Sequence, residues 1–168
     1  TALACMDTRI SFAGLDRCAE RFAHLLKSQG FVKGDVVGIN LPDIPEFVIA
    51  WLGALRAGCA VTGVSPLHTS EGLAYQLKDC RAKGLVTLDA IFAGALTAIA
   101  DDLPDLKLIT AARIDGFLSP IRRFLGRLLK RTPSVKVGNL TGKTVFRMQT
   151  IITGGAFPSA ELLPDLSP

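Results

Sequence analysis

The segment from residue 36 to residue 64 constrains the fold more than any other part of the chain, because strand, turn, helix and strand patterns follow one another without interruption. Residues 36–41 form a short apolar run rich in β-branched side chains, and this run ends at Pro42. Such a run is typical of a strand that is buried on both faces. A second apolar run at residues 59–64 completes a strand, helix and strand unit, which predicts a parallel sheet covered by helices.

The helix between these two strands has clear predicted ends. Asp43 is the predicted N-cap, Pro45 suits an early helical position, and Glu46 follows Asp43 by three residues as in a capping box. Gly58 is suited to the left-handed conformation that often ends a helix. Five apolar positions at helical spacing are predicted to form its apolar face, namely Phe47, Val48, Trp51, Leu52 and Leu55.

The same alternation continues on both sides of this unit. Ser11 is predicted to cap a helix that ends at Gly30, with Phe12, Leu15, Cys18, Ala19, Phe22 and Leu26 on one face. Further helices are predicted from Thr69 or Ser70 and from Asp89, and further strands at residues 85–88, 106–110 and 145–147. The pattern predicts an α/β fold with an open, mainly parallel sheet of four core strands and helices on both faces.

Length and composition predict one domain in a reducing compartment. The chain has 168 residues, of which 49% are hydrophobic, so a sizeable core is expected. There is no apolar run of about 20 residues and no basic segment followed by an apolar one at the amino terminus, which predicts a cytoplasmic protein. The four cysteines show no close pairing and are expected to be small core residues.

Charge is distributed unevenly along the chain. Residues 1–112 contain 10 Lys and Arg against 12 Asp and Glu, whereas residues 113–168 contain 9 against 3. Residues 117–131 are predicted to form a basic amphipathic helix, which would rest on an anionic membrane surface or cover another domain. The alternative is a surface helix whose charges are only solvated. Nucleic-acid binding is not expected, because no recognised motif or set of interleaved aromatic residues is present.

Five segments occur in the order that is found in one enzyme family. With them the chain resembles the amino-terminal portion of the adenylate-forming superfamily, and it is most similar to the long-chain fatty-acid–CoA ligases among the AMP-dependent synthetases and ligases. The segments that carry the resemblance are residues 9–15, 33–37, 41–47, 55–61 and 73–77.

The end of the chain adds one more similarity. Residues 152–162 resemble the family segment whose Gly-Gly-Ala backbone lies against the adenine of ATP, which implies cofactor contacts at Gly154, Gly155 and Ala156. Small residues suit a close approach of a ring to the main chain. Two alternatives are a glycine-rich turn before a short helix and the opening of the family's phosphate loop. Phe157 and Pro158 disfavour the second alternative.

The resemblance implies a reaction as well as a fold. In the complete family enzyme a fatty or other carboxylic acid reacts with ATP, with magnesium bound, to form an acyl-adenylate, and CoA then displaces AMP. The family's phosphate loop, its magnesium-holding glutamate and its catalytic lysine domain have no counterpart in these 168 residues. No catalytic or metal-binding residue is therefore assigned, no cofactor is expected to bind tightly, and this chain alone is predicted to be inactive.

The predicted organisation has three parts: a core at residues 1–112, a basic helix with its connecting segment at residues 113–150, and an adenine-binding segment at residues 151–168 that is apparently truncated. The first functional hypothesis is the amino-terminal lobe of an ATP-dependent acid–CoA ligase. The alternatives are a noncatalytic α/β module that binds a partner or a membrane, and a small nucleotide-binding protein. A lobe taken from a larger fold is expected to expose an apolar face and to form homo-oligomers.

Overall fold

The computed structural model describes residues 1–5, 8–113 and 140–154, and its centre is a five-stranded parallel sheet. The strands of this sheet are β3 (Val36–Asn40), β4 (Ala60–Gly63), β5 (Gly84–Leu88), β6 (Leu108–Ala112) and β7 (Thr144–Arg147). Two further strands, β1 (Leu3–Cys5) and β2 (Thr8–Ile10), form a separate antiparallel pair. The helices are α1 (Phe12–Ser28), α2 (Pro45–Arg56), α3 (Ser70–Asp79), α4 (Asp89–Ile91), α5 (Thr97–Ile99) and α6 (Met148–Thr153). A π-helical turn at Phe92–Leu96 joins α4 to α5, and a 3-10 turn follows at Ala100–Asp102.

The sheet has the strand order β4-β3-β5-β6-β7, and every neighbouring pair is parallel. Helices α1, α2 and α6 cover one face, while α3 and the helical segment from α4 to α5 cover the other. Right-handed crossovers require this change of face, because the chain adds β4 on one side of β3 and then returns to add β5 on the other. The predicted α/β class with helices on both faces is therefore confirmed, and β7 adds a fifth strand.

Helix α1 begins where the sequence predicts. The Ser11 hydroxyl accepts a hydrogen bond from the Gly14 N–H at 3.1 Å, and Leu15, Phe22 and Leu26 are buried. Phe12 was predicted on the same helix face as these residues, but it lies in the first turn and 75% of its surface is exposed.

Helix α2 differs from the prediction in two respects. Its N-cap is Ile44, which makes no side-chain cap hydrogen bond, so the prediction that Asp43 is the cap is wrong. Its buried side is made of small and branched residues, whereas Trp51, Leu52 and Leu55 are exposed. The buried residues of this helix are Pro45, Glu46, Ile49, Ala50, Gly53 and Ala54.

Close contact between α1 and α2 explains this reversal. A Cβ atom on Gly53 would lie 2.6 Å from the Ala19 carbonyl oxygen and 2.9 Å from Phe22. Because the two backbones approach so closely, only small side chains fit between them. Trp51, Leu52 and Leu55 are left on the side of α2 that faces away from α1.

The second helical layer follows the predicted pattern. The Thr69 hydroxyl caps α3 by accepting a hydrogen bond from the Gly72 N–H at 3.3 Å. The predicted helix from Asp89 is present as a helical segment without gaps through Asp102. Within it the hydrogen-bond pattern changes from α-helical to π-helical and back, and it ends as a 3-10 turn. Strand β6 begins two residues later than predicted, at Leu108, while Leu106 is buried in the preceding turn.

The carboxyl-terminal part of the chain is described only at residues 140–154. The predicted strand at residues 145–147 is confirmed as β7, which pairs with β6 in parallel. The predicted basic helix at residues 117–131 lies outside the described residues. The division into parts at residues 112 and 150 stays a prediction.

All four cysteines are free thiols, and Cys59 is the most buried of them. Burial, with a smaller contribution from the charge of Asp35, raises the pKa of the Cys59 thiol to about 11. A thiol with this pKa is protonated at neutral pH and packs as a small apolar side chain, as predicted.

An ion pair holds the loop between α1 and β3 at the amino end of the sheet. Lys83 Nζ lies 2.6 Å from Asp35 Oδ2 and 2.7 Å from the Gly30 carbonyl oxygen. Burial acts to raise the pKa of Asp35, but hydrogen bonds from Lys83 and the Val32 N–H, with the charge of Lys83, outweigh it and hold this pKa below its ordinary value. The folded state is therefore stabilised by the ionised carboxylate.

Gly53→Ala is expected to lower the free energy of unfolding by about 1–3 kcal/mol, because the added methyl group overlaps the backbone of α1. Urea titration followed by circular dichroism measures the change. Gly94→Ala is the matched control, since nothing lies within 4 Å of its added Cβ. Equal stability of the Gly53 and Gly94 variants would contradict the close helix contact.

Asp35→Asn is expected to lower the free energy of unfolding by about 1 kcal/mol at pH 7. The loss in free energy of unfolding has its full size above the ordinary pKa of Asp, near 3.9. It disappears as the pH falls through the lower pKa that Asp35 has in the folded state. Urea titrations between about pH 2.5 and pH 7 measure it. Asp16→Asn is the control, because Asp16 is paired with Arg56 but its side chain is 60% exposed. A loss for Asp35→Asn that is independent of pH would contradict this account.

Candidate functional site

The strand order places a switch point between β3 and β5. The connection that leaves β3 runs to β4, whereas the connection that leaves β5 runs to β6 on the other side. These two connections therefore diverge at the carboxyl ends of β3 and β5. In open α/β sheets ligands bind in the crevice that such a divergence creates. This edge of the sheet is therefore the candidate functional site.

Asn40, the last residue of β3, joins three strand ends at this point. Its Nδ2 donates hydrogen bonds to the carbonyl oxygens of Val64, at 3.3 Å, and Ser65, at 2.8 Å. Its Oδ1 accepts a hydrogen bond from the Thr87 hydroxyl at 2.9 Å. Asn40 and Thr87 are both fully buried. The side chain of Asn40 thus fixes the end of β5 and the loop after β4 relative to β3.

Two buried carboxylic acids lie near the same edge, each in the first turn of a helix that follows a strand. Glu46 is in the first turn of α2, and its Oε1 accepts a hydrogen bond from Gln149 Nε2 at 3.0 Å. Asp89 is the first residue of α4 and directly follows β5. The positive ends of the helix dipoles favour negative charge at both positions.

Two arginines lie at the carboxyl ends of the last two strands. Arg147 ends β7 and is exposed, and Arg113 directly follows β6. Neither arginine was identified as a candidate site residue from the sequence, although each ends or directly follows a short strand pattern. Only the pairing of β6 with β7 brings these two strand ends side by side.

An apolar groove of about 330 Å³ adjoins the start of α2. It separates the β1 strand from the first turn of the helix. The lining residues are Leu3, Ala4, Cys5, Asp43, Ile44, Pro45, Phe47 and Val48.

The predicted adenine-contacting residues lie at the end of the described chain. Gly154 directly follows α6, and its N–H donates a hydrogen bond to the Thr150 carbonyl oxygen at 3.0 Å. A Cβ on Gly154 would lie 2.8 Å from that same oxygen, so the helix end itself favours glycine here. Gly155 and Ala156 lie outside the described residues.

Two other expectations concern metals and membranes. Within residues 1–5, 8–113 and 140–154, no three His, Cys, Asp or Glu side chains are grouped so that they could hold a metal ion. In the same ranges, no helix has the length and apolar character needed to cross a bilayer.

Comparison with known proteins identifies the class of this fold. Residues 1–126 match the family described as AMP-binding enzyme. Over 113 residues the chain is 34% identical to a long-chain-fatty-acid–CoA ligase of Bacillus subtilis, covering 67% of this chain and 20% of that protein. Over 115 residues it is 36% identical to an acetyl-coenzyme A synthetase of Rubrobacter xylanophilus, covering 64% of this chain and 18% of that protein.

Two solved structures have a fold similar to that of this chain. The anthranilate CoA ligase AuaEII in complex with anthranoyl-AMP matches with a TM-score of 0.61 and 25% identity, over 79% of this chain and 24% of that chain. The acetoacetyl-CoA synthetase of Streptomyces lividans, at 19% identity, shares the fold with a TM-score of 0.67 over 94% of this chain and 22% of that chain.

The parallel sheet and these matches agree with the family resemblance that the sequence predicts. The chain belongs to the AMP-binding enzyme family. It spans about a fifth of the length of the curated relatives described above.

Thr87→Val is expected to lower the free energy of unfolding by about 1–2 kcal/mol, because it leaves the buried Asn40 Oδ1 without its hydrogen-bond donor. Thr110→Val is the matched control, since Thr110 is equally buried but its hydroxyl has no hydrogen-bond partner. Thr110→Val is expected to be neutral or stabilising. Urea titration of both variants measures the contrast, and equal losses would contradict the role given to Asn40.

Proposed function

We propose that this chain is the amino-terminal lobe of an ATP-dependent acid–CoA ligase. The observation that carries the proposal is the match to the Bacillus subtilis long-chain-fatty-acid–CoA ligase, whose 113 aligned residues amount to two thirds of this chain. The shared fold with other CoA ligases supports it. A fatty or other carboxylic acid is the proposed substrate class, and a cytoplasmic location is part of the same proposal.

The proposed reaction has two steps in the complete enzyme. The substrate carboxylate attacks the α-phosphorus of ATP, the bond to the leaving pyrophosphate breaks, and an acyl-adenylate forms. The sulfur of CoA then attacks the acyl carbonyl carbon, a thioester forms, and AMP leaves with the electron pair of the broken bond. Magnesium would neutralise phosphate charge in the first step.

In this proposal the lobe supplies a rigid edge rather than the reacting groups. The buried carboxamide of Asn40 holds the strand ends at the switch point. Arg113 and Arg147 provide positive charge at the same edge. The remaining metal and CoA contacts are proposed to come from parts of the enzyme that its relatives have in addition to this lobe.

Adenine is proposed to lie against the backbone of Gly154, Gly155 and Ala156. The support is the sequence similarity of residues 152–162 to the family segment. The position of Gly154 at the end of α6 gives it a structural role as well.

Contact of residues 117–131 with an anionic membrane surface is a further part of the proposal, supported by five Lys and Arg and the absence of Asp and Glu in that segment.

The chain alone is proposed to be inactive. Bringing a carboxylate to a triphosphate places anions together, and enzymes lower this barrier by positioning and by cationic stabilisation. The family's phosphate loop and catalytic lysine domain are not among these 168 residues.

Exchange of labelled pyrophosphate into ATP tests both parts of the proposal. The 168-residue chain and a full-length polypeptide that carries it are each assayed with acids from acetate to palmitate. The chain alone is expected to give no exchange above a blank without protein, and the full-length polypeptide is expected to give exchange with at least one acid. Turnover by the chain alone would refute its inactivity, whereas no exchange by the full-length polypeptide would refute the ligase function.

A further inference from the structure

Helix α6 is the last element before the glycine-rich segment that is proposed to contact the nucleotide. It has six residues, and a helix of this length is not stable by itself in water. Contacts with the rest of the fold therefore set its position. Met148, Ile151 and Ile152 make the apolar part of these contacts, because they are buried in the same core cluster as apolar residues of α1 and α2.

A polar contact holds the first turn of α6. Gln149 Nε2 donates a hydrogen bond to Glu46 Oε1 at 3.0 Å, and Glu46 is fully buried in the first turn of α2. The Gln149 Oε1 atom is also buried and has no hydrogen-bond partner within the described residues. Turning the carboxamide over would place this oxygen against the oxygen of Glu46. Glu46 therefore fixes the orientation of the Gln149 side chain.

A second polar contact holds the last turn of α6. Arg21 on α1 donates a hydrogen bond from Nη1 to the carbonyl oxygen of Ile152. The last four carbonyl groups of a helix have no partner within the helix, and the helix dipole favours positive charge at this end. The guanidinium group thus satisfies a carbonyl group that lies two residues before Gly154.

These two contacts differ in kind from the apolar packing of α6. Hydrophobic burial has no preferred direction, so it keeps α6 on the core without fixing how the helix is rotated or shifted along its axis. Hydrogen bonds depend on distance and angle, and here one lies at each end of the helix. Arg21 and Glu46 are 131 and 103 residues away from their partners and belong to two different helices. Together they fix α6 relative to both α1 and α2.

We propose that Arg21 and Glu46 are positioning residues for nucleotide binding, which hold α6 so that the segment beginning at Gly154 reaches the nucleotide in one place. Helix α6 starts directly after β7 at the carboxyl end of the sheet and is about 9 Å long, so Gly154 stays near the candidate site. Neither Arg21 nor Glu46 is proposed to touch the nucleotide. The inference rests on the proposed function, in which this segment contacts ATP. A displacement of about 1 Å in a binding group is enough to weaken function strongly.

Calorimetric titration of ATP into a full-length polypeptide that carries this chain, without acid substrate, tests the proposal. Arg21→Ala and Glu46→Ala are each expected to raise the dissociation constant for ATP about three- to tenfold, because each removes one of the two hydrogen bonds. The number of binding sites per polypeptide is expected to stay unchanged. A variant that only folds less completely would instead lose binding sites and keep its dissociation constant. The titration therefore separates positioning from a merely structural role.

Conservative and paired variants sharpen the test. Glu46→Gln keeps an oxygen that accepts the hydrogen bond from Gln149, so it is expected to bind ATP like the unmodified polypeptide. Gln149→Ala is expected to weaken binding as Glu46→Ala does, and it takes the place of Glu46→Ala if that variant does not fold. Combining the two is expected to add nothing further, because both remove the same hydrogen bond.

Two exposed charged residues are the matched controls. Arg17 lies on α1 one turn before Arg21, and Glu71 lies in the first turn of α3. Arg17→Ala and Glu71→Ala are expected to leave the dissociation constant unchanged. An unchanged constant in both Arg21→Ala and Glu46→Ala, or an unmodified full-length polypeptide that binds no ATP, would overturn the proposal. Failure of the ligase function has a different signature, since pyrophosphate exchange would be absent while ATP still binds.

Discussion

The contact between the backbones of α1 and α2 is the constraint on which one whole layer of this structure depends. Gly53 lies against the Ala19 carbonyl group and Phe22 with no room for a side chain. This contact decides which side of α2 faces the core and leaves Trp51, Leu52 and Leu55 on the surface. The exposed apolar stripe is thus a consequence of how the helices pack and is not a local defect in amphipathicity.

The opposite ends of the parallel sheet are held by different chemistry. At the amino end, the Lys83 ammonium group binds a carboxylate and a carbonyl group, and this contact is strongest while Asp35 is ionised. At the carboxyl end, the Asn40 carboxamide makes three hydrogen bonds while fully buried, and no proton is gained or lost. The neutral amide holds the strand ends at the candidate site without adding charge there.

Family membership and function rest on different observations. Membership follows from the match over residues 1–126 and from the shared fold. The chain aligns with only about a fifth of each relative, so these matches identify the family and leave the reaction a proposal. A scaffold with a switch point and buried polar contacts is compatible with adenylation, but catalysis depends on cations that hold the triphosphate.

Local signals in the sequence determined the order and the ends of most elements. Ser11 and Thr69 cap helices as predicted, because capping depends on residues within one turn. The apolar runs of β3 and β5 identify buried parallel strands for the same local reason. The order of the five family segments was sufficient to identify the family.

Tertiary structure alone decided which face of α2 is buried and where the polar residues meet. The sequence predicts an apolar face for α2, but periodicity identifies an apolar stripe and not the neighbour that covers it. The partners of Asn40 are 24, 25 and 47 residues away in the chain, and the ends of β6 and β7 lie side by side only through strand pairing. Helical periodicity is a property of one segment, whereas burial and hydrogen bonding between strand ends depend on how distant segments pack.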